Sequence, residues 1–323
     1  MSSREMNQKT NVSNSNKNSS FNNTVLWTAL VTPFHDNNSI DFESLASIAH
    51  AQAKAGNGIL LLGSTGEGLA LTRNEQQQIV EFVCQLNLAT PIMVAVGGYN
   101  LTEQLAWLEQ CNQYAIDAFL LASPIYAKPG TVGQTAWFKA LLDTAQYPCM
   151  LYNVPSRSGV EIALKTVENL VPHPQFWAIK EASGDINKFL AYRQIVPSID
   201  LYSGEDAMMP YLAAAGAKGL VSVCANAWPE ASKYYVEQSL AGQVQALFPL
   251  WYNAINSLFS VANPIPVKIL MHLQGVIKQS ILRAPLTALE LNNHTDLLNA
   301  DSDINNWFDQ QANASSLNQV VGE

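Results

Sequence analysis

Short apolar runs alternate with amphipathic stretches through the middle of the chain. The runs cover residues 25–31, 58–62, 92–96, 118–122, 149–152, 176–179, 200–202 and 219–223. Each has the length of a strand, meets a cluster of Gly, Pro, Ser or Asn, and gives way to apolar residues at helical spacing. Local signals agree with that division. Thr72-Arg-Asn-Glu75 has the spacing of a capping box, after which Ile79, Val83 and Leu86 fall on one helical face. Asp41 precedes a helix that turns Phe42, Leu45 and Ile48 inward and stops at Gly56. Eight βα units in succession predict an α/β fold. They can close into a (β/α)8 TIM barrel or wind into an open sheet, and the barrel is favoured because nothing interrupts the rhythm.

The pattern changes on either side of residues 25–242, the expected barrel. Residues 1–24 are dominated by Asn and Ser and lack the apolar core of a secretory signal, so they read as a disordered tail. Asn11, Asn18 and Asn22 match the glycosylation pattern by chance on this reading, since nothing else suggests secretion. From 243 to 311 only helical signals occur. Residues 246–262 are apolar-rich and Asn263-Pro-Ile-Pro266 breaks the chain, which predicts a C-terminal helical appendage. Residues 312–323 read as a polar tail.

Composition narrows the function. A chain of 323 residues, 48% hydrophobic and 13% charged, can bury a large core, and a net charge of −9 draws it toward neither nucleic acid nor an anionic membrane. A small-molecule ligand is the default, and no stretch is long and apolar enough to span a membrane. Cys84, Cys111, Cys149 and Cys224 are widely spaced in apolar surroundings, which suits free thiols in the cytoplasm. Five dispersed histidines form no metal-ligand pattern, and no metal is expected.

In a barrel the chemistry gathers where strands end. Lys180 follows the run at 176–179, at the barrel mouth with apolar side chains behind it. Such surroundings disfavour the ammonium form and suit a neutral nucleophile that condenses with a carbonyl. A lone lysine there more often just leaves the strand for solvent. Tyr152 ends the preceding run, and parallel neighbours lie about 4.8 Å apart, so its phenol can reach the amine and carry protons; a core tyrosine satisfied locally is the alternative. Gly63-Ser-Thr-Gly-Glu-Gly68 places two hydroxyls and free backbone N–H groups after the second run. It matches neither nucleotide-binding glycine pattern and suits a carboxylate, or is a plain βα turn. Arg157, in a Pro- and Ser-containing loop, is either a bidentate carboxylate ligand or a surface arginine paired with an acid.

Taken together, Gly63-Ser-Thr-Gly-Glu67, Tyr152-Asn-Val-Pro-Ser-Arg-Ser-Gly159, Ala178-Ile-Lys-Glu-Ala-Ser-Gly184 and Asn263-Pro-Ile-Pro-Val-Lys268 resemble the dihydrodipicolinate synthases over roughly residues 25–310. The wider superfamily includes N-acetylneuraminate lyase and other keto-acid aldolases. Those lyases usually lack an arginine matching Arg157, so its presence favours the synthase. The resemblance implies a lyase in which pyruvate forms an imine with Lys180 and attacks L-aspartate-4-semialdehyde, in lysine and diaminopimelate synthesis, with no cofactor. It implies that Tyr152, Ser64 and Tyr126 form a proton relay, with Tyr126 entering the site of a neighbouring subunit in a homodimer or homotetramer. Thr65 would bind the pyruvate carboxylate, Arg157 the semialdehyde carboxylate, and Gly204 and Val221 would complete the substrate site.

Two departures accompany the match. Ser64 stands where many synthases have threonine and keeps the hydroxyl. At positions that form the lysine feedback site in inhibited members stand Gly68, Arg73, Gln104 and Ile125, which implies weak or absent inhibition by lysine. The alternatives are a keto-acid aldolase of the N-acetylneuraminate lyase type and a barrel that binds ligands without turnover.

Overall fold

A computed structural model describes residue 21 and residues 23–321, with the side chains of 246 and 312–321 left aside. Its strands are β1 (Leu26–Ala29), β2 (Gly58–Leu61), β3 (Ile92–Val96), β4 (Ala118–Ala122), β5 (Cys149–Asn153), β6 (Phe176–Glu181), β7 (Asp200–Ser203) and β8 (Gly219–Ser222). All pair in parallel with their sequence neighbours, and β8 returns to β1, so the sheet is a closed barrel and not an open sheet. Helices Phe42–Lys54, Arg73–Gln85, Leu101–Cys111, Thr131–Thr144, Leu164–Leu170, Ile186–Ile195, Met209–Ala214 and Pro229–Leu240 form the outer layer.

Alternation along the strands separates two cores. Outward residues such as Leu61, Val94, Leu121, Leu151 and Ile179 pack against the helices. Inward residues, among them Trp27, Leu60, Met93, Met150, Tyr152, Ala178 and Tyr202, fill the barrel. The expected caps are present: Thr72 and Glu75 form a reciprocal capping box, and Asp41 accepts from the Ser44 N–H. Gly56 follows its helix in a left-handed conformation with φ 70°.

The end of the barrel opposite the strand C-termini is closed by aromatic packing. Phe21 lies against Trp27 and Trp177, and the Tyr202 hydroxyl donates to the Thr24 carbonyl at 2.9 Å. These residues fall in the stretch read as a disordered tail, so the ordered chain begins earlier than residue 25. The Asn/Ser-rich remainder of 1–24, with Asn11, Asn18 and Asn22, lies outside the described residues.

Beyond the barrel stand helices Leu250–Leu258, Ile265–Leu273 and Thr295–Val321. Trp251, fully buried, stacks on Tyr235 of the last barrel helix at 4.3 Å and meets Trp307 edge-on, which docks the appendage. The backbone of the last helix continues through the stretch assigned to a polar tail as far as Val321. Among the described residues no helix is long and apolar enough to cross a membrane.

Candidate active site

Lys180 lies within β6 and not beyond its end. Pairing outlasts the apolar run: Tyr152 pairs with Lys180, Asn153 pairs with Glu181, and the Ala182 N–H donates to the Asn153 carbonyl at 2.9 Å. Alternation then turns Lys180 toward the barrel interior, in line with Ala178 and Ala182. Glu181 takes the opposite face, where its carboxylate accepts from the Asn153 amide at 2.7 Å and the Ser183 N–H at 2.6 Å. Burial pushes the Glu181 carboxyl up, against those hydrogen bonds.

The Lys180 side chain is buried, with Nζ 4.3 Å from the centroid of the Tyr152 ring. The expected approach of amine and phenol across adjacent strands is therefore present. Gly204 gives the lysine stem its space, since a Cβ there would fall 2.9 Å from Lys180 Cε and 2.5 Å from Ala182 Cβ. Val221 is buried in the interior wall of the barrel.

The glycine-rich turn follows β2 and leads into a short 3-10 turn, Gly68–Ala70, before helix Arg73–Gln85. The Glu67 and Gly68 N–H groups close it onto the Ser64 and Gly63 carbonyls at 3.1 Å each. Among the described residues no backbone hydrogen bond takes up the Ser64 or Thr65 N–H, so both stay available to an anion. Thr65 is buried, and its hydroxyl accepts from the Asn263 amide at 3.0 Å.

Arg157 sits in the helical turn Pro155–Ser158, exposed, and among the described residues no carboxylate lies within ion-pair distance of it. It shares with Ser64 the walls of two cavities at the mouth. One, of about 100 Å³, is also lined by Tyr152, Gly68, Arg73, Gln104 and Ile125. The other, of about 200 Å³, is lined in addition by Glu67, Asn263 and Arg283. Gly68, Arg73, Gln104 and Ile125, the positions matched to the feedback site of inhibited family members, thus surround the first cavity, and the Arg73 guanidinium lies 4.6 Å from the Trp107 ring there.

Tyr126 stands apart, 88% exposed and in a left-handed conformation with φ 70°. Among the described residues no hydrogen bond joins Tyr152, Ser64 and Tyr126, so the relay is not assembled within one chain.

Three polar features escaped the sequence reading: the Asn263–Thr65 bond, a buried pair of Glu67 with Lys268, and Glu205. Burial, reinforced by Asp206, pushes the Glu205 carboxyl up to about 7, while the charges of Lys180 and Arg157 pull it down. A signal existed for one of them, because Lys268 is a single charge in the apolar stretch Ile265-Pro-Val-Lys-Ile-Leu-Met271.

Residues 22–302 match the model of the dihydrodipicolinate synthetase family. The chain is 52% identical over 287 residues to the 4-hydroxy-tetrahydrodipicolinate synthase of Francisella philomiragia, covering 88% of this chain and 97% of that one. It is 46% identical over 285 residues to the enzyme of that name from Wolbachia pipientis of Culex pipiens, again over 88% and 97%. Among solved structures, the dihydrodipicolinate synthase of Acinetobacter baumannii, crystallised with pyruvate, superposes with a TM-score of 0.83 at 31% identity, covering 88% of this chain and 99% of the other.

Proposed function

Because the chain belongs to the dihydrodipicolinate synthetase family, we propose that it is the lyase that condenses pyruvate with L-aspartate-4-semialdehyde to 4-hydroxy-tetrahydrodipicolinate, a step of lysine and diaminopimelate biosynthesis. One observation carries the assignment of the chemistry to Lys180: a buried amine in register with Tyr152, 4.3 Å from its ring.

Nζ of Lys180 adds to the pyruvate C2 carbonyl, and loss of water from the carbinolamine gives an imine. Loss of a methyl proton converts the imine to an enamine, whose C3 attacks the aldehyde carbon of the semialdehyde. The amino group of the adduct then attacks C2, closes the ring and releases Lys180. Tyr152 moves protons to and from the carbinolamine oxygen. The imine is itself the electron sink, so the reaction needs no separate cofactor.

Thr65 and the free N–H groups of its turn hold the pyruvate carboxylate, and Arg157, which makes no ion pair among the described residues, takes that of the semialdehyde. Gly204 and Val221 shape the walls around Lys180. Ser64 lines the same cavity as Tyr152 and stands next in the proton path. The exposure of Tyr126 supports its entry into the site of a neighbouring subunit, which makes a homodimer the smallest complete unit and a homotetramer a pair of these. Among the described residues Cys84, Cys111, Cys149 and Cys224 form no disulfide, which suits the reducing cytoplasm.

Incubation with pyruvate and borohydride tests the mechanism. One reduced pyruvyl group should be found by peptide mass mapping on Lys180; modification elsewhere, or none, rejects it.

A further inference from the structure

The segment Asn263-Pro-Ile-Pro-Val-Lys268 has no task in the chemistry above, yet it reaches the mouth of the barrel. Helix Ile265–Leu273 places Lys268 in full burial. Its Nζ donates to Glu67 Oε1 at 2.7 Å and to the Thr32 carbonyl at 2.9 Å. The other Glu67 oxygen accepts from the Arg283 N–H at 2.7 Å. Thr32 in turn donates its hydroxyl to the Gly66 carbonyl at 2.7 Å, and Asn263 donates to Thr65. Thr65, Gly66 and Glu67 are consecutive, and each is held by a group remote in sequence.

The turn needs such restraint. Glu67 adopts a left-handed conformation at φ 54°, unfavourable for a residue with a Cβ. Gly68 admits no side chain, since a Cβ would lie 1.9 Å from the Leu62 carbonyl oxygen. A wholly buried ion pair is an inefficient way to stabilise a core, because desolvation of two charges consumes most of their attraction. It does fix direction, since a carboxylate with one oxygen on an ammonium and the other on a backbone N–H has a single orientation. Burial draws the Lys268 ammonium down to about 8 against the pull of Glu67, and Arg283 is the second cation facing it.

We propose that Lys268 and Asn263 are positioning residues for the keto acid: through Glu67 and Thr65 they hold the Gly63–Gly68 turn in the shape that receives the substrate carboxylate. The C-terminal region is thereby part of the binding machinery. This rests on reading the turn as the pyruvate cradle and Lys180 as the nucleophile.

The test compares the wild type with E67Q/K268M, which removes both charges together, and with Asn263→Ala. For each, KM and kcat are measured separately for pyruvate and for the semialdehyde, beside borohydride trapping and thermal melting. Both variants should raise the KM for pyruvate roughly tenfold, as loss of one to two polar contacts implies. The KM for the semialdehyde should stay within about twofold, and trapping on Lys180 should persist at saturating pyruvate. Unchanged pyruvate KM in folded variants overturns the proposal. So does a parallel rise of both KM values with a lower melting temperature, which marks general loosening. If the double variant does not fold, Asn263→Ala decides by the same readouts. Failure of the wild type to trap pyruvate on Lys180 would instead reject the underlying mechanism.

Discussion

Two loops at the barrel mouth are built in opposite ways. The turn after β2 is tied at Thr65, Gly66 and Glu67 to groups from β1's exit and the C-terminal region. The loop after β4 projects. Tyr126 and Lys128 both have positive φ, at 70° and 48°, and backbone bonds from Ile125 to Gly98 and from Ala127 to Ile125 are its nearest restraints. On the proposed reading, a turn that receives a small anion must keep one shape, which buried charge from a distant segment serves, and a tyrosine held outward at positive φ would act in the site of a neighbouring subunit. One chain would then finish the carboxylate side of the site and leave the Tyr126 side to its neighbour.

The contrast can be broken most directly through stability. Lys268→Met alone strands the Glu67 carboxylate in the interior, and urea denaturation should show a loss of about 3–5 kcal/mol. Tyr126→Ala in the same assay should stay within about 0.5 kcal/mol, because the side chain is 88% exposed. Similar losses in both would erase the difference between the loops. Activity reverses the order: Tyr126→Phe keeps the ring, removes the hydroxyl, and should lower kcat about 100-fold without altering the melting curve. Full activity in that variant would remove the loop after β4 from the chemistry.

The exit of β7 lies between the extremes: among the described residues Glu205 makes no ion pair, and it is only half-buried. Because the folded value of Glu205, about 7, exceeds its ordinary value of 4.5, the folded protein binds this proton more tightly than the unfolded chain. Its contribution is full below about pH 4.5 and is lost as pH rises through about 7. Between pH 5 and pH 8 the wild type should lose on the order of 1–2 kcal/mol relative to Glu205→Gln, measured by denaturation at each pH. Parallel pH profiles would show that the carboxyl is solvated. The smallest effect concerns the cavity where the two loops meet, lined by Gly68 from one and Ile125 from the other. Arg73 already places a cation there, so millimolar L-lysine should leave the steady-state rate unchanged. Inhibition would show that the cavity accepts a second cation.

Much of this was legible in the chain. The runs at 92–96 and 118–122 are β3 and β4 to the residue, because turn residues bound them on both sides. The end of β6 was not, because hydrophobicity stops at Ile179 while backbone pairing continues through Glu181. Phe21 was read as tail for a similar reason: one aromatic in a polar stretch has no periodicity, and its burial depends on Trp27 and Trp177 meeting it.

By itself the sequence determined the eight βα units, their caps and the placing of Tyr152 and Lys180 at the ends of successive runs, since strand and helix periods and cap chemistry are local and repeat along the chain. The tertiary structure alone decided that Lys180 faces the barrel interior, that Glu67 meets Lys268 across 201 positions, that Asn263 reaches Thr65 across 198, and that Tyr126 is left exposed. Closure of the barrel and docking of the appendage bring those groups together, and a contact between two single polar residues far apart leaves no period to be read.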